Sequence, residues 1–108
     1  MNPIVIALAA AAAWFILARI RSGRRIQELR TRGALVLDVR SAGEFRQGQA
    51  PGALNLPLDT LPSQLGRLDK ARPLLVCCAS GARSALAARL LRAQGFEAFN
   101  AGSWTRLL

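Results

Sequence analysis

An apolar run, Leu74-Leu75-Val76-Cys77, leads into Cys78-Ala79-Ser80-Gly81-Ala82-Arg83, and an amphipathic run from Ser84 to Gln94 leads out. A buried strand, a six-residue loop headed by cysteine and a helix start constrain this chain more than any other feature. The loop residues are small, so the backbone can curl closely around the sulfur. Its N–H groups and the first turn of the helix then converge on one anionic centre. Such a setting takes a thiol pKa from about 8.5 into the range of roughly 3.5–7.5. The pattern points to a sulfur anion at Cys78, held by Ala79, Ser80, Gly81, Ala82, Arg83 and Ser84.

The rest of the chain supplies strands and helices in alternation. Ile26 to Arg32 reads as a short helix with Ile26 and Leu29 inward, stopped by Gly33. Ala34 to Asp38 is a buried strand. Ser41 to Phe45 is one helical turn, with Ser41 and Glu44 spaced for a capping box. Pro51-Gly52 marks a turn, and Ala53 to Asn55 a short strand. Leu58 to Leu68 predicts a helix beginning near Asp59 or Thr60, with Pro62 in its first turn. In the helix after the cysteine loop, Leu86, Ala87, Leu90 and Leu91 share one face, and Arg89 and Arg92 lie on the other. Gly95 ends it, and Phe96 to Asn100 is a last strand. The expected fold class is α/β, a parallel sheet with helices on both faces.

Pro3 to Ala18 is uncharged and apolar throughout, and arginines follow at 19, 21, 24 and 25. A membrane span needs about 20 apolar residues, with a range of about 17–25. Asn2 and a snorkelling Arg19 extend the run, and Trp14 suits the interface. A cleaved signal peptide carries its charge before the apolar run; here the order is reversed. The expectation is an uncleaved anchor over residues 1–21 with its basic flank, a short linker over 22–25 broken at Ser22-Gly23, and one globular domain over 26–108. Positive charge on the C-terminal side places that domain in the cytoplasm, on the inner membrane of the cell.

Of the net charge of +9, residues 1–32 carry six arginines and one acid. That placement suits lipid head groups. No aromatic residues are interleaved with the arginines, which argues against a nucleic-acid partner. There is no histidine, so a Cys–His pair and a histidine metal site are excluded. Two adjacent cysteines make neither a zinc site nor a disulfide framework, and reduced cysteines suit the cytoplasm. No metal or organic cofactor is expected.

Cys78-Ala79-Ser80-Gly81-Ala82-Arg83-Ser84 resembles the active-site loop of single-domain rhodaneses, C-x-S-G-x-R-S. Three further segments resemble that family in the same order. They are Leu37-Asp38-Val39-Arg40 with Glu44-Phe45, the stretch Gly48 to Pro57, and Asn100-Ala101-Gly102-Ser103-Trp104. The resemblance covers about residues 26 to 104.

It implies that Cys78 is the nucleophile. Cys78 would take the outer sulfur of thiosulfate or a persulfide and pass it, as a Cys78 persulfide, to cyanide or a thiol. An unidentified protein is a further candidate donor or acceptor. Loop amides from Ala79 to Ser84 would hold the anion, and two half-reactions would give ping-pong kinetics. Cys77 is expected to face the core. Arg83 would close the loop or attract an anionic donor. Asp38, Arg40 and Glu44 are expected to be structural, with Arg40 and Glu44 paired.

The chain departs from the family at Gln49, where histidine is usual, and at Ala79, where the loop lacks a basic residue. Its domain also begins late, so the first edge strand of the family is expected to be missing. Two rival readings remain open. Counted from Cys77, the spacing Cys77-x5-Arg83-Ser84 matches a cysteine phosphatase or arsenate reductase. Alternatively, the domain is a non-catalytic, membrane-tethered interaction or redox-sensing module.

Overall fold

The computed structural model describes residues 1–108. Helix α1 spans Pro3–Thr31, started by Asn2, whose side-chain oxygen accepts from the Ile4 N–H, with Pro3 at the first position. It runs unbroken through the linker expected at 22–25. Ser22-Gly23 does not interrupt it, because a helical glycine costs only about 1 kcal/mol against alanine. The turns on either side, Ala18 to Arg21 and Arg24 to Gln27, hold no other helix breaker and outweigh that cost. Gly33, with φ near +81°, reverses the chain into β1, Leu35–Asp38.

Ser41 caps the short α2, Ala42–Gln47, in a complete capping box with Glu44. β2 is Leu54–Asn55. The helix expected over Leu58 to Leu68 is instead two 3-10 turns, Leu61–Ser63 and Leu65–Arg67. Leu61 is fully buried there, and Leu58, Leu65 and Leu68 pack half-buried against the edge of the same core, contacts that the two short turns make without a continuous helix. β3, Leu74–Cys78, leads to α3, Ala82–Ala93, then β4, Ala98–Ser103, and a closing 3-10 turn, Trp104–Leu107.

The four strands are all parallel, in the order β2-β1-β3-β4. β3 is buried at every position. Alternation along the strands sorts side chains onto two faces. Leu37, Val39, Leu74, Val76 and Cys78 meet Ala87, Ala88 and Leu91 of α3 on one face. Val36, Leu75, Cys77 and Ala101 meet Ile26 and Leu29 of α1 and Leu107 on the other.

The inward face of α3 is Ser84, Ala87, Ala88 and Leu91, not the face containing Leu86, which is 56% exposed. Small residues at that interface let the helix approach the sheet closely. A register shift between Val76 and Cys77 leaves Ala101 of β4 without a partner, a bulge that extends β4 past the expected end at Asn100.

Candidate active site

The chain leaves β1 for β2 on one side and returns across β1 to β3 and β4 on the other. A crevice forms at the carboxyl ends of strands at such a reversal. The segments after β1, β2 and β3 meet there. Val39 and Ser41, Pro57 to Asp59, and Arg83 line a cleft of about 330 Å³.

Cys78 is the last residue of β3 and only 1% exposed. Its Sγ accepts from the N–H of Gly81 at 3.0 Å and of Ser84 at 3.4 Å, and lies 3.3 Å from the Ser84 hydroxyl. Burial pushes this thiol up. The Ser84 hydroxyl and the amides of Ser84, Gly81 and Ser80 outweigh it, and the net direction is down.

The loop closes because Gly81 adopts φ near +104°, a left-handed conformation. A Cβ there would sit 3.2 Å from the Gly102 Cα. Gly81 is thus required both by its backbone and by its neighbour.

Asn100 is the residue the sequence placed in a motif without assigning it a role. Its Oδ1 accepts from the Ser84 hydroxyl at 2.6 Å and from the Gly102 N–H at 3.0 Å, and its Nδ2 donates to the Gly81 carbonyl at 3.1 Å. The amide orientation is set by those two backbone contacts. Ser84 has one hydroxyl proton. With a thiol at Cys78 that proton serves Asn100, and the S–H donates to Ser84 Oγ. With a thiolate, the hydroxyl turns to the sulfur. Its signals in the sequence are that motif and a polar side chain in a short apolar strand.

Ala79 and Ser80 are exposed at the rim, and Ala82 starts α3. Arg83 does not lean over the sulfur. Its guanidinium binds Glu44 through two contacts, 2.7 and 3.0 Å, tying the cysteine loop to α2. Arg83 and the Ser41 cap hold the Glu44 carboxyl at about 2.

The expected Arg40–Glu44 ion pair is therefore not formed. Arg40 turns inward and pairs with Asp38 at 2.7 Å, also donating to the Gly48 carbonyl, with Trp104 stacked 4.6 Å from its guanidinium carbon. Both side chains are almost wholly buried, so the carboxylate takes the cation it needs to be tolerated there.

Cys77 pairs in register with Asp38 and points to the opposite face, among Ile26, Leu29 and Leu107. Burial pushes its thiol up to about 12. A loop counted from Cys77 has no sulfur at its centre, which removes the geometric basis of the phosphatase spacing. No cluster of acidic or cysteine side chains forms a metal site.

The model of the rhodanese-like domain matches residues 23–106. A sulfurtransferase of Allochromatium vinosum is 38% identical over 61% of this chain, which spans 62% of that protein's length. The thiosulfate sulfurtransferase GlpE of Shewanella oneidensis is 35% identical, over 67% of this chain and 71% of that one. A solved structure of the human single-domain sulfurtransferase TSTD1 superposes with a TM-score of 0.63 at 32% identity, covering 77% of this chain and 88% of that one. A match over most of the chain, together with a parallel sheet that carries a cysteine loop at its carboxyl edge, places the protein in the rhodanese-like sulfurtransferase family.

Proposed function

We propose that this chain is a membrane-anchored sulfurtransferase that carries sulfane sulfur as a Cys78 persulfide. The observation that carries the reading is the cradle on Cys78 Sγ: two backbone N–H groups and a hydroxyl on a sulfur whose pKa they hold below its ordinary value. The thiolate attacks the outer sulfur of the donor, and the donor departs with the bonding pair. The persulfide remains under the loop amides until a second nucleophile takes the outer sulfur.

The donor class is thiosulfate or a persulfide, and the acceptor a thiol or cyanide. Ala79 offers no charge to a sulfonate, which favours a persulfide, small or protein-bound, over thiosulfate. The relatives' names support the reaction class.

The anchor rests on α1, whose N-terminal stretch has a mean hydropathy of 2.1 and none of whose apolar window is buried. The arginines that follow its apolar stretch support a cytoplasmic side for the domain, residues 26–108.

The test is intact mass of the purified protein after incubation with thiosulfate or a persulfide. One added sulfur atom, removed by cyanide and absent from Cys78→Ser, is expected. No added sulfur with either donor overturns sulfur transfer and leaves a tethered, non-catalytic module.

A further inference from the structure

α1 is one continuous helix whose apolar stretch ends at Ala18 and whose last turns are part of the domain core, through Ile26 and Leu29. The domain is therefore fixed to the helix and does not swing on a linker. After Thr31 the chain reverses at Gly33 and β1 runs back along the helix. Contacts at both ends establish this. Arg32, at the helix end, binds Glu97, which immediately precedes β4. Ser22, nearer the apolar stretch, receives Arg106, whose guanidinium also donates to the carbonyl of Ala101, late in β4. All strands are parallel, so all four carboxyl ends point toward the apolar stretch. Cys78 pairs with Ser103 at that end.

From Arg19 to Ser22 the helix rises about 4–5 Å at ~1.5 Å per residue. The polar layer on each side of a bilayer's hydrocarbon core is about 5–7 Å deep. Arg19, Arg21 and Arg24, with Arg106 and the exposed Arg46 of α2, give that end a cationic rim.

We propose that the mouth above Cys78 opens onto the membrane surface, and that its sulfur acceptor is a thiol carried on a molecule held in the bilayer. The inference rests on the anchored sulfurtransferase described above and adds where its second reactant resides. The acceptor thiolate attacks the outer sulfur of the Cys78 persulfide. A new S–S bond forms as the bond to Cys78 breaks, and Cys78 leaves as the thiolate. Sulfane sulfur moves without an external oxidant or reductant. Confining both reactants to one surface raises their effective concentration without any new contact.

The full chain in vesicles tests it in two arms. In a Cys78→Ser background, a fluorophore is attached through Gln49→Cys, beyond α2, or through Ala71→Cys, before β3. Both sites are exposed. Gln49 follows Gly48, whose carbonyl accepts from Arg40 just past β1 and which lies against Trp104 just past β4. Ala71 precedes β3, so the two are toward opposite ends of a strand about 15 Å long at ~3.3 Å per residue. Nitroxide on the lipid head groups is expected to quench the label at 49 several-fold more than that at 71. Equal quenching, or stronger quenching at 71, overturns the orientation.

In the second arm, persulfide-loaded wild type is given a thiol-bearing phospholipid in the same vesicles or 2-mercaptoethanol at equal bulk concentration. Transfer to the lipid thiol is expected to be at least tenfold faster; no preference overturns the membrane-held acceptor. Flotation is read in both arms, and the intact mass on the wild type of the second. Protein that fails to float removes the anchor and the orientation with it. Protein that floats but does not load sulfur removes the transferase reading, and the proposed acceptor with it. Neither failure resembles a wrong orientation, in which the wild type floats and loads sulfur while, in the Cys78→Ser background, the label at 71 is quenched as strongly as that at 49 or more.

Discussion

At the scale of single residues, two adjacent cysteines have opposite fates because a strand alternates its faces. Cys78 turns to the α3 side, where the Gly81 and Ser84 amides converge on its sulfur, and Cys77 to the interior beside α1. Cys78→Ser is expected to abolish persulfide formation and Cys77→Ser to retain most of it, measured by intact mass; the reverse result would place the reacting sulfur on the wrong side of the sheet. The Ser84 hydroxyl is among the groups that lower the Cys78 thiol. Ser84→Ala is expected to move the inflection of iodoacetamide labelling to higher pH. It should slow labelling at neutral pH by about tenfold or more, since a hydrogen bond to a charged group is worth ~1.5–3 kcal/mol. The direction follows from charge: an acid whose anion loses a donor holds its proton longer, so less thiolate is present below the new inflection. Ala79 stands exposed at the rim. Ala79→Arg is expected to lower the KM for thiosulfate a few-fold with little change in kcat, because the amides that hold the persulfide stay in place. Steady-state kinetics with thiosulfate and with an uncharged persulfide check this. A gain shared equally by both donors would show that loop charge does not set donor choice.

At the scale of elements, two glycines separate what a helix tolerates from what the loop requires. Gly23 lies inside α1 with nothing within 4 Å of an added Cβ, whereas Gly81 combines a positive φ with the Gly102 Cα at 3.2 Å. Gly23→Ala is expected to raise the melting temperature slightly, worth up to about 1 kcal/mol. Gly81→Ala should cost about 1–3 kcal/mol through strain and should slow persulfide loading, because the Gly81 amide is one of the sulfur's donors. Thermal melts and loading rates on both variants decide it. The same elements show what the sequence makes legible. The strand–loop–helix at Cys78 could be read from local pattern, since apolar runs and small residues are local properties. The capping box on α2 was equally legible, as Ser41 and Glu44 are three residues apart. The helix expected at Leu58–Leu68 failed because Leu65 and Leu68, only partly buried, serve loops that pack on the core edge. The partner of Glu44 was missed because Arg83 lies 39 residues away in sequence. Asn100 was undervalued for a similar reason: its role exists only once β4 lies beside β3 and the bulge at Ala101 is formed.

At the scale of the molecule, α1 belongs to two environments at once. Its first turns are exposed apolar surface, with Ile4, Leu8, Trp14 and Phe15 all more than 60% exposed, while Ile26 and Leu29 are 4% and 1% exposed in the core. The continuity of the helix was not legible, because a Ser-Gly pair looks like a break until the packing on either side of it is known. That packing makes the last turns of α1, with Leu107, the cover of one sheet face, over Val36, Leu75 and Cys77. A chain beginning at Arg19 is expected to be soluble, to fold and to load sulfur as the full chain does. A chain beginning at Arg32 loses Ile26 and Leu29. Burying two such side chains is worth about 1.5–3 kcal/mol each, and their loss removes a large share of a domain stability of ~5–15 kcal/mol. It also uncovers Cys77, so two signals are expected together: a melting temperature many degrees lower, and labelling of Cys77 by a small thiol reagent in a Cys78→Ser background. If the shorter chain melts where the longer one does and Cys77 stays unlabelled, α1 is an anchor alone and the sheet face is covered by something else. If both changes appear, anchor and domain share one helix, and the position of the cysteine loop relative to the bilayer is built into the fold.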